Sequence, residues 1–217
     1  MDLRTLLRDL YGIDRPQGCT EEEIDKIKNR FGSLPTVVEN FWRTVGRTSR
    51  LNHVQDTWIL PEHYDMWTWL AERDFLVLLN ENQGCCQAGI RKEDLSLPDP
   101  PVYCFVNDQV QGLIASSVHA FLEAALLYEG VWQLEHSPEE FYWLTGEDLT
   151  VIQSKLTKHP AILKNWFEME LTFYSNRPNN LVVVMDVGDQ YQCLYGGATQ
   201  ESYDALLEVM EGLGEPI

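Results

Sequence analysis

Five cysteines and five histidines are the residues of this chain best suited to hold a metal or act as nucleophiles, and their spacing favours neither role. Cys19, Cys85, Cys86, Cys104 and Cys193 contain no Cys-x-x-Cys pair, so a zinc site is poorly supported. Their odd number and irregular spacing fit no disulfide framework. They read as small buried hydrophobes in a reducing compartment, with Cys85 and Cys86 on opposite sides of a strand. His53, His63, His119, His136 and His159 include no His-x-x-x-His that would place two imidazoles on one helix face. No serine stands in a Gly-x-Ser-x-Gly elbow. Gly196-Gly197 lies between a strand and a helix but lacks the flanking glycines and lysine of a phosphate loop, so it reads as a turn needing positive φ. With 34 acids, chance pairing of carboxylates singles out no hydrolase pair. These residues assign no catalytic group, no metal and no cofactor.

Charge is the stronger chemical signal. Sixteen Lys and Arg oppose 34 Asp and Glu, a net charge of −18. Residues 1–50 hold nine bases and eight acids; the remaining 167 hold seven bases and 26 acids. No base occurs between Lys92 and Lys155, and none after Arg177. Such a surface repels nucleic acid, whose phosphates need cations, and attracts a basic protein. The candidate partner-binding residues are Asp108, Trp132, Glu135, Glu139 and Glu140, where acids gather around an aromatic anchor, with Glu81 added if its carboxylate faces outward. The alternative for Glu81 is a carboxylate accepting turn amides. Asn82 and Gln83 read as side-chain amides satisfying the backbone of a tight turn ending at Gly84.

The elements that must position these groups follow from periodicity. Leu3, Leu6, Leu7 and Leu10 predict a short opening helix, with residues 1–18 as a loosely attached arm. Thr20 caps a helix to Phe31, and Pro35 starts another with Val38, Phe41, Trp42 and Val45 inward. A short strand spans Thr57–Leu60. A helix after Pro61 carries Met66, Trp69 and Leu70. Trp67 and Trp69, two apart, cannot share one of its faces, so one is expected outside. Phe75–Leu79 is a buried strand that turns at Asn80–Gly84 into a second strand. Val102–Val106 is a strand, Ser117 caps a helix to about Tyr128, and residues 131–146 read as irregular or weakly helical. A helix to about Lys158 precedes three strands, at Trp166–Tyr174, Leu181–Asp186 and Gln190–Tyr195. Thr199 caps the closing helix. Helices flanking hairpin-joined strands argue for α+β, an antiparallel-rich sheet with helices packed against it. The 217 residues, 44% hydrophobic, suit one domain over 1–217. No apolar run is long enough for a membrane span, and the first residues lack the layout of a secretory signal, so the expected location is cytoplasmic.

Four segments in order also resemble the SUKH superfamily, which includes the yeast cell-wall-synthesis regulator and many bacterial immunity proteins. They are Glu81-Asn82-Gln83-Gly84 after an apolar strand, the Leu34-Pro35 helix ending at Gly46, Asp99-Pro100-Pro101-Val102-Tyr103, and Ser116 to Leu122. The likeness covers roughly residues 20 to 130. Arg47 stands where a second glycine is common, and Ala88 where an aromatic is common. The resemblance implies a single-domain α+β fold and a non-enzymatic immunity protein, expected as a monomer. It would bind and neutralise a cognate basic toxin, in many cases a nuclease, without touching nucleic acid or membrane. A regulatory or scaffold module of the same superfamily is the other function it implies.

Overall fold

The computed structural model describes residues 3–51 and 54–217; His53 lies outside them. The chain is α+β, with two antiparallel sheets where the sequence suggested one. Its contacts divide it into two compact units. Unit 1 takes the chain up to Asp14, then Glu123–Lys164 and Glu168–Ile217. Unit 2 takes Arg15–Leu122 with Asn165–Phe167.

Unit 2 opens with α2 (Glu21–Phe31) and α3 (Thr36–Val45). Thr20 and Glu23 form a reciprocal capping box at the start of α2, which satisfies amides that the helix itself cannot. Its sheet is a meander in the order β1 (Thr57–Trp58), β2 (Phe75–Asn80), β3 (Gln87–Arg91), β4 (Val102–Val106) and β5 (Gln109–Ala115). The apolar run Phe75–Leu79 is buried throughout, the pattern of a strand covered on both faces. Pairing of β2 with β3 slips between Val77 and Leu79, and such a bulge disturbs the ladder. Tyr64 serves the backbone there: its hydroxyl donates to Val77 O at 3.0 Å and accepts from Val77 N at 2.8 Å. Trp58 fills the space between the rings of Phe41 and Phe121, at centroid distances of 5.1 and 6.1 Å.

Strand β5 is absent from the sequence reading. Gln109, Val110, Gln111 and Leu113 are exposed, so it lacks a clean alternation. The turn before it carries the local clue: Asn107 (φ 48°) and Asp108 (φ 65°) both adopt the left-handed region, as a two-residue hairpin of type I′ requires.

The helix expected after Pro61 is broken. It forms α4 (His63–Met66) and α5 (Thr68–Ala71), because Trp67 takes extended angles, φ −109° and ψ 108°. Leu70 is buried, whereas Met66 is 67% exposed.

Unit 1 contains α1 (Leu3–Tyr11), with Leu6, Leu7, Leu10 and Tyr11 buried. The arm is therefore not loose: the Tyr11 hydroxyl donates to Leu126 O at 2.6 Å, on α6 (Val118–Val131). The second sheet runs β11 (Glu215–Pro216), β6 (Tyr142–Leu144), β10 (Tyr191–Gly197), β9 (Asn180–Asp186), β8 (Met169–Ser175) and β7 (Thr157–Trp166). Val182, Val184, Tyr174, Cys193 and Tyr195 form one core with Ile152 and Leu156 of the α7 region (α7, Gly146–Lys155) and Leu206 and Met210 of α8 (Gln200–Met210). Leu171, Phe173, Val183 and Met185 are buried as well, so both faces of the sheet are covered.

The sequence reading ran the helix through the start of β7 and missed most of that strand. Pro160 lies within β7, which is an edge strand, where proline is tolerated. It also missed β6, a three-residue strand, and β11. The turn from β7 to β8 holds Phe167 and Glu168 at positive φ (51° and 65°), without the Asn or Gly that would announce it.

Candidate interaction surface

The Glu81 turn is built by carboxylates accepting amides. Glu81 is 8% exposed, and its Oε2 accepts from Gln83 N at 3.0 Å and Cys85 N at 3.1 Å. Asp56, 2% exposed, uses Oδ1 to accept from Asn82 N at 3.1 Å. Gly84 adopts φ 74° with open space where a Cβ would stand, so backbone conformation selects glycine there. Of the two readings of Glu81, the carboxylate that accepts turn amides is the one the geometry shows, and Glu81 drops out of the candidate interface acids. The reading of Asn82 and Gln83 is corrected. Asn82 and Gln83 contribute backbone amides, while their side chains are exposed. Cys85 is exposed in the turn and Cys86 buried after it, opposite in environment but ahead of β3 rather than within it.

Asp108 sits in the β4–β5 turn and forms an ion pair with Arg73, so its charge is locally balanced. Arg73 belongs to a stacked column. Its guanidinium lies over Trp69 at 5.4 Å; the Trp69 and Trp67 rings stack at 6.1 Å; Trp67 lies on His63 at 4.3 Å with planes 3° apart. The His63 Nδ1 accepts from Leu60 N at 3.1 Å, which orients the ring. The expectation that Trp67 and Trp69 part company is thereby overturned. The break at Trp67 removes the helical spacing that would have separated them, and both are half-buried.

Trp132, Glu135, Glu139 and Glu140 fall together on one connection of unit 1, between α6 and β6. Trp132 and Phe141 close its base, with ring centroids 5.5 Å apart at 64°. Its middle is pinned by a two-way backbone bridge, His136 N to Gly197 O at 3.1 Å and Gly197 N to His136 O at 2.8 Å. Ile217 N donates to Phe141 O at 2.9 Å, fastening the far end. The segment called irregular is thus a tied loop carrying Glu135, Glu139 and Glu140 exposed on it. Asp108 and Glu81 belong to unit 2 and are not part of it.

Gly196 and Gly197 are not positive-φ residues. A Cβ on Gly197 would stand 2.5 Å from Tyr203 N and 2.6 Å from Ser202 Oγ; one on Gly196 would stand 2.8 Å from His136 O. Close approach of α8 and of the loop demands glycine at both.

The acidic excess is uneven between the units. Residues 1–14, 123–164 and 168–217 hold 19 acids and six bases, net −13; the rest hold 15 acids and ten bases, net −5. In unit 2 several acids meet cations, including Glu21 with Arg43, Glu23 with Arg47 and Lys28 with Glu39. In unit 1 six bases cannot match 19 acids one for one. Glu201, Asp204 and Glu208 are exposed along α8 at i, i+3 and i+7, with Glu201 paired to Arg177 and Glu211 exposed just past the helix end, a spacing legible in the sequence. Beneath them Tyr203 rests against Tyr195 at 6.1 Å, and Tyr195 against Tyr142 at 5.7 Å; burial pushes the Tyr203 and Tyr195 hydroxyls upward in pKa. His159 Nε2 and Ser175 Oγ are 3.0 Å apart across β7 and β8, and burial lowers the pKa of that imidazole.

Comparison with protein-family models, curated proteins and solved structures finds no match for this chain. Among the described residues no helix is long and apolar enough to cross a membrane.

Proposed function

We propose that this chain is a non-enzymatic immunity protein that binds a basic toxin, a nuclease, and blocks its substrate cleft with the anionic face of unit 1. The observation that carries the reading is the −13 charge of that unit together with the tied loop that displays Glu135, Glu139 and Glu140 beside Trp132. A nuclease cleft is lined with cations for phosphate, and fixed carboxylates can occupy it in the same sense. Half-buried aromatics supply the apolar anchors that charge alone lacks. Because both ends and the middle of the loop are tied, little chain entropy is lost when a partner docks.

The test is protection. A toxin domain encoded beside this chain's gene is expressed in a sensitive host with and without the protein. Survival with the protein, and a triple variant Glu135→Gln, Glu139→Gln, Glu140→Gln whose association with the toxin is slowed about tenfold at low salt, is the expected result. Absence of protection, or association rates unchanged by the triple variant, overturns the reading.

A further inference from the structure

Between the tied loop and α8 of unit 1 stand three tyrosines whose hydroxyls gather at one place. Gly197 fixes the arrangement. Its backbone bridges to His136 of the loop in both directions, and it lies so close to α8 that a Cβ would stand 2.5 Å from Tyr203 N. Tyr142 follows the loop in β6, and Tyr195 lies in β10. Tyr142 rests on Tyr195 with planes 49° apart, and Tyr195 stacks on Tyr203 at 16°. Tyr195 is 6% exposed and forms the floor; Tyr142 and Tyr203 are half-buried and form the walls. The Tyr195 hydroxyl meets those of Tyr142 and Tyr203, and no other group among the described residues hydrogen-bonds the three. The charge around them has one sign. Glu139 and Glu140 precede Tyr142 in the chain, and Asp204 follows Tyr203 and acts on its hydroxyl. Asp204 accepts from the neutral Gln200 amide at 2.7 Å and so keeps its charge. Neither the loop nor β6, β10 or α8 contains a lysine or arginine.

We infer that Tyr142, Tyr195 and Tyr203 form the seat for the ammonium group of a lysine that a basic partner protein inserts between the tied loop and α8. An ammonium carries three donors and no acceptor, and three phenol oxygens have lone pairs to receive them. A guanidinium is a flat fork that suits the paired oxygens of a carboxylate; three hydroxyls on three separate rings offer no such pair. The ring faces add cation–π attraction, and Asp204, Glu139 and Glu140 supply the negative charge that neutral phenols lack. Little ordering is needed on docking, because each tyrosine has two side-chain torsions and the rings already pack on one another. This seat rests on the reading that unit 1 binds a basic partner, and it places one lysine contact on that face.

The experiment uses the full chain and three end-blocked tripeptides at constant ionic strength: glycine–lysine–glycine, its arginine counterpart and its Nε-acetyl-lysine counterpart. Tyrosine ring resonances are followed by NMR and assigned through Tyr142→Phe, Tyr195→Phe and Tyr203→Phe. The expected result is that the lysine peptide shifts the three rings along one saturable curve and leaves Tyr103 of β4 unmoved. It binds about threefold tighter than the arginine peptide and about tenfold tighter than the acetylated one. Tyr203→Phe, which keeps the ring and removes the hydroxyl, weakens lysine binding about tenfold, while Tyr103→Phe leaves it unchanged. Shifts that do not saturate, acetylated peptide binding as well as lysine, or arginine binding as tightly as lysine overturn the seat. A toxin complex that dissociates at the parent rate after Tyr142→Phe together with Tyr203→Phe overturns the seat and leaves the immunity reading standing. Lysine binding at the three tyrosines without toxin protection removes the immunity reading and keeps the seat.

Discussion

The Trp166 indole donates to Asp56 Oδ2 at 3.0 Å, joining side chains 110 residues apart and both buried. The other oxygen of Asp56 accepts from Asn82 N. One carboxylate therefore ties the Glu81 turn to the end of β7. Asp56→Ala would strand the buried Trp166 indole donor, at a cost of about 1–3 kcal/mol, and remove the acceptor of the part-buried Asn82 N. Denaturant unfolding of that variant should show a loss of about 3 kcal/mol, and Trp166→Phe a smaller one. A loss below 1 kcal/mol in Asp56→Ala would mean that water replaces the carboxylate.

Glu81 separates architecture from recognition. Its carboxylate satisfies Gln83 N and Cys85 N. Glu81→Ala should cost about 2 kcal/mol of stability and leave the rate of association with a basic partner unchanged. Stopped-flow mixing below the melting temperature reads both properties on one sample. A slowed association with unaltered stability would return Glu81 to the interface.

The cysteines make a prediction about access. Cys85 is exposed, whereas Cys19, Cys86, Cys104 and Cys193 are buried. Burial also pushes the Cys19 thiol up to about 11, with Glu23 adding to the rise. A thiol reagent at pH 8 should label one of the five thiols quickly in the native protein, and Cys85→Ser should abolish that fast phase. Two fast thiols would show that the Glu81 turn opens.

Acid sensitivity should show at Glu23. Its hydrogen bond to Arg47 is the main reason its pKa falls to about 2 from an ordinary 4.5, with Thr20 assisting. The folded state therefore favours the ionised form. Its stabilisation is complete above about 4.5, declines below that value and is gone once the pH drops past about 2. Glu23→Gln should be less stable at neutral pH, with the gap to the parent chain closing between those two values. Melting curves across that range check it, and a constant gap would refute it.

The elements legible in the sequence were those that carry their own signal. Thr20 with Glu23, Thr199 before α8 and the leucine spacing of α1 are local patterns, and each marked a helix that forms. The apolar runs Phe75–Leu79 and Leu181–Met185 became strands buried on both faces. Strands β5, β6 and β7 were hard to read because they are half exposed, very short or interrupted by proline, and their stability comes from neighbours distant in the chain. The candidate residues fared likewise. Trp132, Glu135, Glu139 and Glu140 are close in sequence and share a loop; Glu81 and Asp108 were joined to them by charge alone and lie in the other unit.

Composition by itself determined that the chain folds around a large apolar and aromatic core and carries a strong negative charge, since both depend only on how many residues of each kind are present. Tertiary structure alone decided where that charge is neutralised, because an acid beside an arginine and an acid facing water look the same in a sequence. It also decided that Trp67 and Trp69 stack, since one residue leaving helical angles reverses the face its neighbours share.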